Sequence, residues 1–302
     1  MIKGQWTKDV KRIEKVVPRE IVTSDGEIVT IDNRFYNNMV ADITNKVDSL
    51  KERRKVKNEY AMLRKSNNLI NEVGGNFYHM MYDRILNADL QENYAIRFLL
   101  LCTYLDYENN LVVGKTSDRR KIKENELKDI LKLSERETIR TKKYLLEQNL
   151  ITIDDGIISV NKDFAIKGKV KVKDEPYSRV FEEGFKDLYY GVKPVQHKNL
   201  YFFIKCLPYL NNKYNILCEN PLEKDKDLIK PLSFGELGKI FGMDRKQASN
   251  LKNTLFKLKV NDKKVIAELV NLSERRIVVN PAIFYKSNSE CISDVARLFE
   301  TL

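Results

Sequence analysis

The feature that most constrains this chain is an internal repeat in which three blocks recur in the same order. Phe98-Leu-Leu-Leu-Cys102 returns as Phe202-Phe-Ile-Lys-Cys206. Glu126-Leu-Lys-Asp-Ile-Leu-Lys-Leu133 returns as Glu236-Leu-Gly-Lys-Ile-Phe-Gly-Met243, and the match runs on through Lys142/Lys252 and Leu145/Leu255 without a gap. Ile158-Ser-Val-Asn161 returns as Ile277-Val-Val-Asn280, with Lys167 and Lys286 at matching places beyond. The offset grows from 104 (98 to 202) to 110 (126 to 236) to 119 (158 to 277), as expected if the second copy has longer loops at two places. A self-similar chain must be read as one unit used twice.

In the first copy a strongly apolar helix spans 93–106, followed by a strand at 111–113 and a short helix at 124–132. Ser134 reads as the N-cap of a longer helix at 135–148, with Glu137 at capping-box spacing. Strands 150–153 and 157–160 flank Asp155-Gly156, a hairpin signal. Helix, strand, helix, turn, helix, hairpin is the order of a winged helix-turn-helix, whose third helix enters the DNA major groove. The second copy repeats the plan: a helix at 197–210, a strand at 214–218, a helix from Ser233 to the Gly242-Met243 turn, and a third helix from Asp244 to Lys259. Its hairpin spans 264–270 and 276–279. The expected class is therefore α+β, mainly helical, with tandem winged helix-turn-helix domains behind an N-terminal hairpin and long helix. The expected divisions are 1–75 for the hairpin and basic helical region, 76–168 and 194–302 for the two domains, and 169–193 for a charged, Pro-containing linker.

At the front, Glu20 to Ile31 alternates around Asp25-Gly26 as a hairpin, and Asn38 to about Lys65 reads as a long helix. Its stripe Val40, Ile43, Val47 and Leu50 is short for a coiled coil. It is expected to pack on the protein's own core, with a dimer seam as the alternative. Lys51-Glu-Arg-Arg-Lys-Val-Lys57 is either a solvated face or a phosphate-contacting one.

Lys and Arg outnumber Asp and Glu 54 to 43, for a formal charge of +11, which draws polyanions. The most apolar run, 98–104, is about one-third of the roughly 20 residues a bilayer span needs. The N-terminus carries no signal-peptide pattern, so a cytoplasmic protein without membrane contact is expected. Cys102, Cys206, Cys218 and Cys291 have no CxxC spacing and His79 and His197 stand alone, so no metal, no cofactor and no catalytic centre is expected. No Gly-rich phosphate loop precedes a Lys-Ser or Lys-Thr pair.

Several short motifs resemble the RepL-type replication proteins of firmicute plasmids: Ser24-Asp-Gly-Glu-Ile-Val, Gly74-Gly-Asn-Phe77, and Asp155-Gly-Ile-Ile-Ser-Val-Asn161 with Lys167-Gly168. The resemblance covers about residues 18–170. It implies a winged-helix fold and a role in replication initiation. The chain departs from the family in the helical insert over 36–73 and in the entire second copy.

A helical wheel places Thr138, Lys142, Leu145, Leu146 and Asn149 on one arc of the first copy's third helix, expected to face inward. Arg136, Arg140, Lys143, Tyr144 and Glu147 lie opposite. Arginine forks match guanine O6 and N7, which makes Arg136 and Arg140 the expected base readers. Lys143 and Tyr144 are expected on phosphates. The second copy offers Lys246, Gln247, Asn250 and Asn253, of which Asn and Gln suit adenine. The first hairpin has Asp154 and Asp155 at its tip; the second carries Arg275 and Arg276, suited to a narrow minor groove. Unlike faces imply an asymmetric site. The expected function is sequence-specific binding of double-stranded DNA by a plasmid or phage replication initiator. The alternatives are a transcriptional regulator of a mobile element and a winged-helix protein-interaction adaptor. A homodimer and host replication or transcription proteins are the further partners this reading admits.

Overall fold

The computed structural model describes residues 20–22, 24–30, 33–114, 118–170, 176–271, 274–287 and 291–301. The chain divides into two compact units, residues 1–65 and 66–302. In the first, β1 (Glu20–Val22) and β2 (Ile28–Thr30) form the expected antiparallel hairpin, with Glu20 opposite Thr30. Helix α1 (Asn33–Gly74) follows and continues into the second unit. Its residues 51–57 are all exposed, and Leu50 of the expected apolar stripe is 49% exposed. The side chains of Val40 and Ile43 lie outside the described residues. The helix stops at Gly75, whose φ of +73° places it in the left-handed region while its N–H donates to the Asn71 carbonyl at 2.9 Å.

The second unit begins with β3 (Phe77–Met80), α2 (Tyr82–Asn87) and α3 (Glu92–Cys102). Next come β4 (Val112–Val113), β5 (Arg120–Lys121), α4 (Leu127–Leu131), α5 (Glu135–Glu147), the hairpin β6 (Ile151–Asp154) and β7 (Ile157–Val160), and β8 (Ala165–Ile166). Its second half runs β9 (Ser178–Phe181), α6 (Glu182–Tyr190), α7 (His197–Cys206), α8 (Phe234–Ile240) and α9 (Arg245–Leu255). A small hairpin β10 (Lys259–Val260) and β11 (Lys263–Lys264) precedes the longer one, β12 (Ile266–Asn271) and β13 (Glu274–Val279). The chain closes with β14 (Phe284–Tyr285) and α10 (Cys291–Leu298). The fold is thus α+β, with long and short helices over small antiparallel sheets. Among the described residues no helix is long and apolar enough to cross a membrane.

Hydrogen bonding shows that the repeat is structural. Leu111 N–H donates to Ile158 O and Leu217 N–H to Ile277 O, both at 2.9 Å, so the strand expected over 214–218 occupies the matching place through isolated bridges. Asn109 and Asn215 are both buried at positive φ, +70° and +52°. Asn109 Nδ2 donates to the carbonyls of Val160 (3.2 Å) and Ala165 (2.7 Å); Asn215 Nδ2 donates to those of Val279 (3.3 Å) and Phe284 (2.7 Å). Each asparagine tolerates the left-handed turn and satisfies two buried acceptors, a task no apolar side chain performs. The turn between the paired helices is left-handed in both halves as well, at Lys132 (+51°) and Gly242 (+67°).

The stretch 169–193, expected as a linker, is corrected by the structure. From Ser178 it supplies β9 and α6, and Val180, Phe181, Phe185, Leu188 and Tyr189 are buried. The Tyr189 and Tyr190 hydroxyls donate to the carbonyls of Leu131 and Ile130 at 2.9 and 2.8 Å, closing the C-terminal end of α4. The charged run ends at Pro176, and the apolar residues that fold into the core all lie beyond it. Four strands in the order β14-β9-β3-β8 make the central sheet, in which β9 lies antiparallel to β3 with Tyr78 opposite Val180 and His79 opposite Arg179. Because β3 and β9 open equivalent halves, their antiparallel pairing relates the halves by an approximate two-fold. Helices α3 and α7 pack on each other more extensively than any other two helices. One core runs through both halves, so the expected domains 76–168 and 194–302 form a single body.

Equivalent lysines also cross between halves. Lys167 pairs with Glu182 at the start of α6, and Lys286 Nζ lies 5.2 Å from the centre of the Tyr82 ring while donating to the carbonyls of Leu207 and Leu210. Cys102, Cys206 and Cys218 are buried, which pushes their thiols up and leaves them as core residues.

Both histidines are buried in this body: His79 sits edge-on to Phe77 and Tyr177, and His197 lies 4.0 Å from Tyr189. Burial lowers each to about 4, assisted by Arg179 beside His79 and Arg97 beside His197. Between pH 6.5 and 5 the unfolded chain therefore binds protons that the folded chain does not. Stability should be full above pH 6.5 and fall below it, by on the order of 1.4 kcal/mol per pH unit per histidine. Urea unfolding from pH 7 to 5 checks this; the double variant His79→Gln, His197→Gln should show a flatter profile. A second expectation is that Asn109→Ala and Asn215→Ala each lower stability by about 1–3 kcal/mol, because two buried carbonyls lose their donor.

Candidate nucleic-acid interface

Two helices, α5 and α9, hold equivalent positions and present most of the expected site residues. Each starts where its sequence places a cap. The Ser134 side chain accepts from Glu137 N–H at 3.4 Å, and the Asp244 carboxylate accepts from Gln247 N–H at 2.8 Å. In α9 the capping box is complete, since the Asp244 N–H donates to Gln247 Oε1 at 2.9 Å. In α5 it is half formed. Glu137 turns away from the cap, toward Arg97 (3.4 Å) and Arg140 (2.9 Å).

The buried face of α5 is Thr138, Thr141 and Leu145, matched in α9 by Ala248 and Leu255 with Leu251 half-buried. The expected wheel is therefore rotated: Leu146 and Asn149 are exposed, and Thr141, absent from the expected inward arc, is fully buried. Lys142, expected inward, lies at the edge of the buried face. Its ammonium pairs with Glu124, whose own N–H donates to the Gly156 carbonyl in the hairpin turn. Lys252 makes the equivalent bond to Glu268 on β12 at 2.8 Å. In both halves this lysine ties the third helix to the hairpin beside it.

The exposed stripe of α5 carries Arg136, Ile139, Arg140 and Lys143. Ile139 is 53% exposed and was not on either expected arc; its spacing from Arg136 and Lys143 is the signal that could have placed it there. Lys143 reaches Glu147 at 3.7 Å. Tyr144 needs correction. It is half-buried, stacked on Tyr94 at 4.3 Å, and its hydroxyl accepts from the Gln91 N–H at 2.8 Å, so it braces α5 on α3 instead of facing outward. On α9, Lys246, Asn250 and Asn253 are exposed, as is Gln247 with its amide oxygen engaged in the cap.

The hairpins differ as their sequences suggest. Asp155 and Gly156, at φ +48° and +74°, make the first turn, and Asp154 and Asp155 are exposed. Arg275 on β13 is exposed and lies 3.9 Å from Glu268. Arg276 is not available in the same way. Its guanidinium donates to Glu274 (3.0 Å) and to the Lys226 carbonyl (3.3 Å), which leaves it partly buried against the loop before α8. The tip residues 272–273 lie outside the described residues.

Sequence reasoning missed the link behind Arg140. Arg97, buried in α3, donates to Thr141 Oγ1 at 2.8 Å and holds one carboxylate oxygen of Glu137, whose other oxygen accepts from Arg140. Arg140 and Arg97 together hold the Glu137 carboxyl below its usual range. A buried cation thereby fixes the carboxylate that fixes an exposed guanidinium. Such a preset fork can meet two acceptors in one plane.

Compared with protein-family models, with curated proteins and with solved structures, the chain matches none. The corrected place of Tyr144 has a direct consequence. Tyr144→Phe keeps the stack and loses only the hydroxyl, so thermal unfolding should show a loss of about 1 kcal/mol. Unchanged stability would show that the bond from the Gln91 N–H does not brace α5 on α3.

Proposed function

We propose that the protein binds double-stranded DNA sequence-specifically through two winged helix-turn-helix units in one rigid body, and that it serves a plasmid or phage as a replication initiator. The observation that carries this reading is the duplicated third helix, buried along one face and exposing a polar, largely basic stripe along the other. In α5 the stripe offers Arg136, Arg140 and Lys143; in α9 it offers Lys246, Asn250 and Asn253. The charge of +11 supports a polyanionic partner. The initiator role draws on the RepL-type resemblance over about residues 18–170.

The two readers are not equivalent chemically. Arg140, aimed by Glu137, is suited to a guanine; Asn250 is suited to an adenine. The approximate two-fold through β3 and β9 supports a reading in which they meet half-sites of opposite sense and unlike sequence. A duplex bound this way is read across more than one groove segment by one chain.

Arg140→Ala should relax base preference at one position, costing about 1–3 kcal/mol against the preferred sequence, and Asn250→Ala should do so at a separate position. If about six phosphates are neutralised, affinity should fall about a thousandfold from 50 to 200 mM salt. Selection of bound duplexes from a random pool, followed by titration of each variant at both salt levels, measures all three. Salt-independent binding and unchanged preferences would refute the proposal. Mapping the selected site to an origin supports the initiator, whereas a promoter would make the protein a transcription regulator.

A further inference from the structure

Between the two third helices lies a strip of surface that carries Val195 and Lys198, neither of them a proposed reader, and that borders the reader Asn250. One cleft is lined by Glu137 of α5 together with Glu92, Arg97, Pro194, Val195 and Lys198. A second is lined by Gln247, Asn250 and Thr254 of α9 together with Glu92, Lys198, Asn199 and Lys205. Glu92 and Lys198 border both clefts, so the first turns of α3 and α7 form the ground between α5 and α9.

The electrostatics of this strip favour an anion. Glu92 is engaged by Lys205 at 2.7 Å, and Glu137 by Arg97 and Arg140. Lys198 is exposed and forms no ion pair among the described residues. Beside it the turn 194–196 raises Pro194 and Val195 from the surface, and Val195 is 75% exposed. A valine held on a single 3-10 turn with three-quarters of its surface in water contributes nothing to the core.

We infer that this strip is a third DNA contact, with Lys198 on the phosphates and Val195 entering the minor groove at the middle of the bound site. The inference rests on the DNA-binding reading above. When two helices of one rigid body lie in successive major-groove segments, the minor groove between them faces the surface that joins the helices. An apolar side chain raised there can enter a base step, partly unstack it and bend the duplex. Lys198 beside it would hold the flanking backbone.

The test uses the full chain on its selected duplex, comparing wild type, Lys198→Ala and Val195→Ala. Lys198→Ala should lower the slope of log affinity against log salt by about one and leave base preference unchanged. Val195→Ala should reduce the bend seen by energy transfer between the duplex ends, and reduce chemical reactivity of the central base step. Because both residues are exposed, urea midpoints should match wild type and exclude a folding cause. If both variants bend the duplex and depend on salt as wild type does, while Arg140→Ala and Asn250→Ala still shift base preference, the strip is not a contact and the two-helix reading stands alone. If Arg140→Ala and Asn250→Ala also leave preference unchanged, the DNA reading fails and this inference fails with it.

Discussion

The antiparallel pairing of β3 with β9 is the constraint on which the rest of the second unit depends. Two equivalent strands hydrogen-bonded side by side in opposite senses can only be related by a two-fold, and each strand leads directly into the helices of its own half. The sheet is completed outward by β8 and β14, the closing strand of each half, so that each half is anchored at both ends. Helices α3 and α7 then meet across the same axis and share one core. A unit joined by backbone bonds, a continuous apolar core and the crossing lysines Lys167 and Lys286 has little freedom to vary the spacing of α5 and α9.

That rigidity gives the surface its meaning. Each third helix is fixed on three sides by different chemistry. A buried apolar stripe faces the core, a lysine ties the helix to the neighbouring hairpin, through Glu124 for α5 and directly through Glu268 for α9, and a cap fixes the N-terminal end. The free side of α5 is tuned further by Arg97, which acts from inside the protein through Glu137 on Arg140. In α9 the residue at the Glu137 position is Gln247, which closes a capping box instead. The same scaffold therefore presents a preset guanidinium in one half and adaptable amides in the other. The chemical difference between α5 and α9 follows from side chains, while their placement follows from the backbone.

Much of this was legible along the chain. The order of helices, the caps at Ser134 and Asp244, and the Asp155-Gly156 turn all appear where local chemistry places them. Lys142, on the expected inward arc, lies instead at the edge of the buried face, where its ammonium finds Glu124 as that of Lys252 finds Glu268. The arc itself was rotated, since Thr141 carries a methyl group and a hydroxyl that returns to the Glu137 carbonyl, which makes it a core residue that a polarity scale misplaces. Tyr144 and Arg276 were misread for a related reason: an aromatic or guanidinium near a surface can spend its polar atoms on its own protein.

The sequence by itself determined the repeat, the local elements and the chemical difference between α5 and α9, because these depend on neighbours within a few residues of one another. Only the tertiary structure decided that the two copies form one body. Pairing of β3 with β9 joins residues about a hundred positions apart, and no local periodicity specifies such a contact. The stretch 169–193 shows the difference most clearly. Its charges and proline describe a linker, but its strand and helix acquire their roles only when β3 and the carbonyls of α4 are there to receive them.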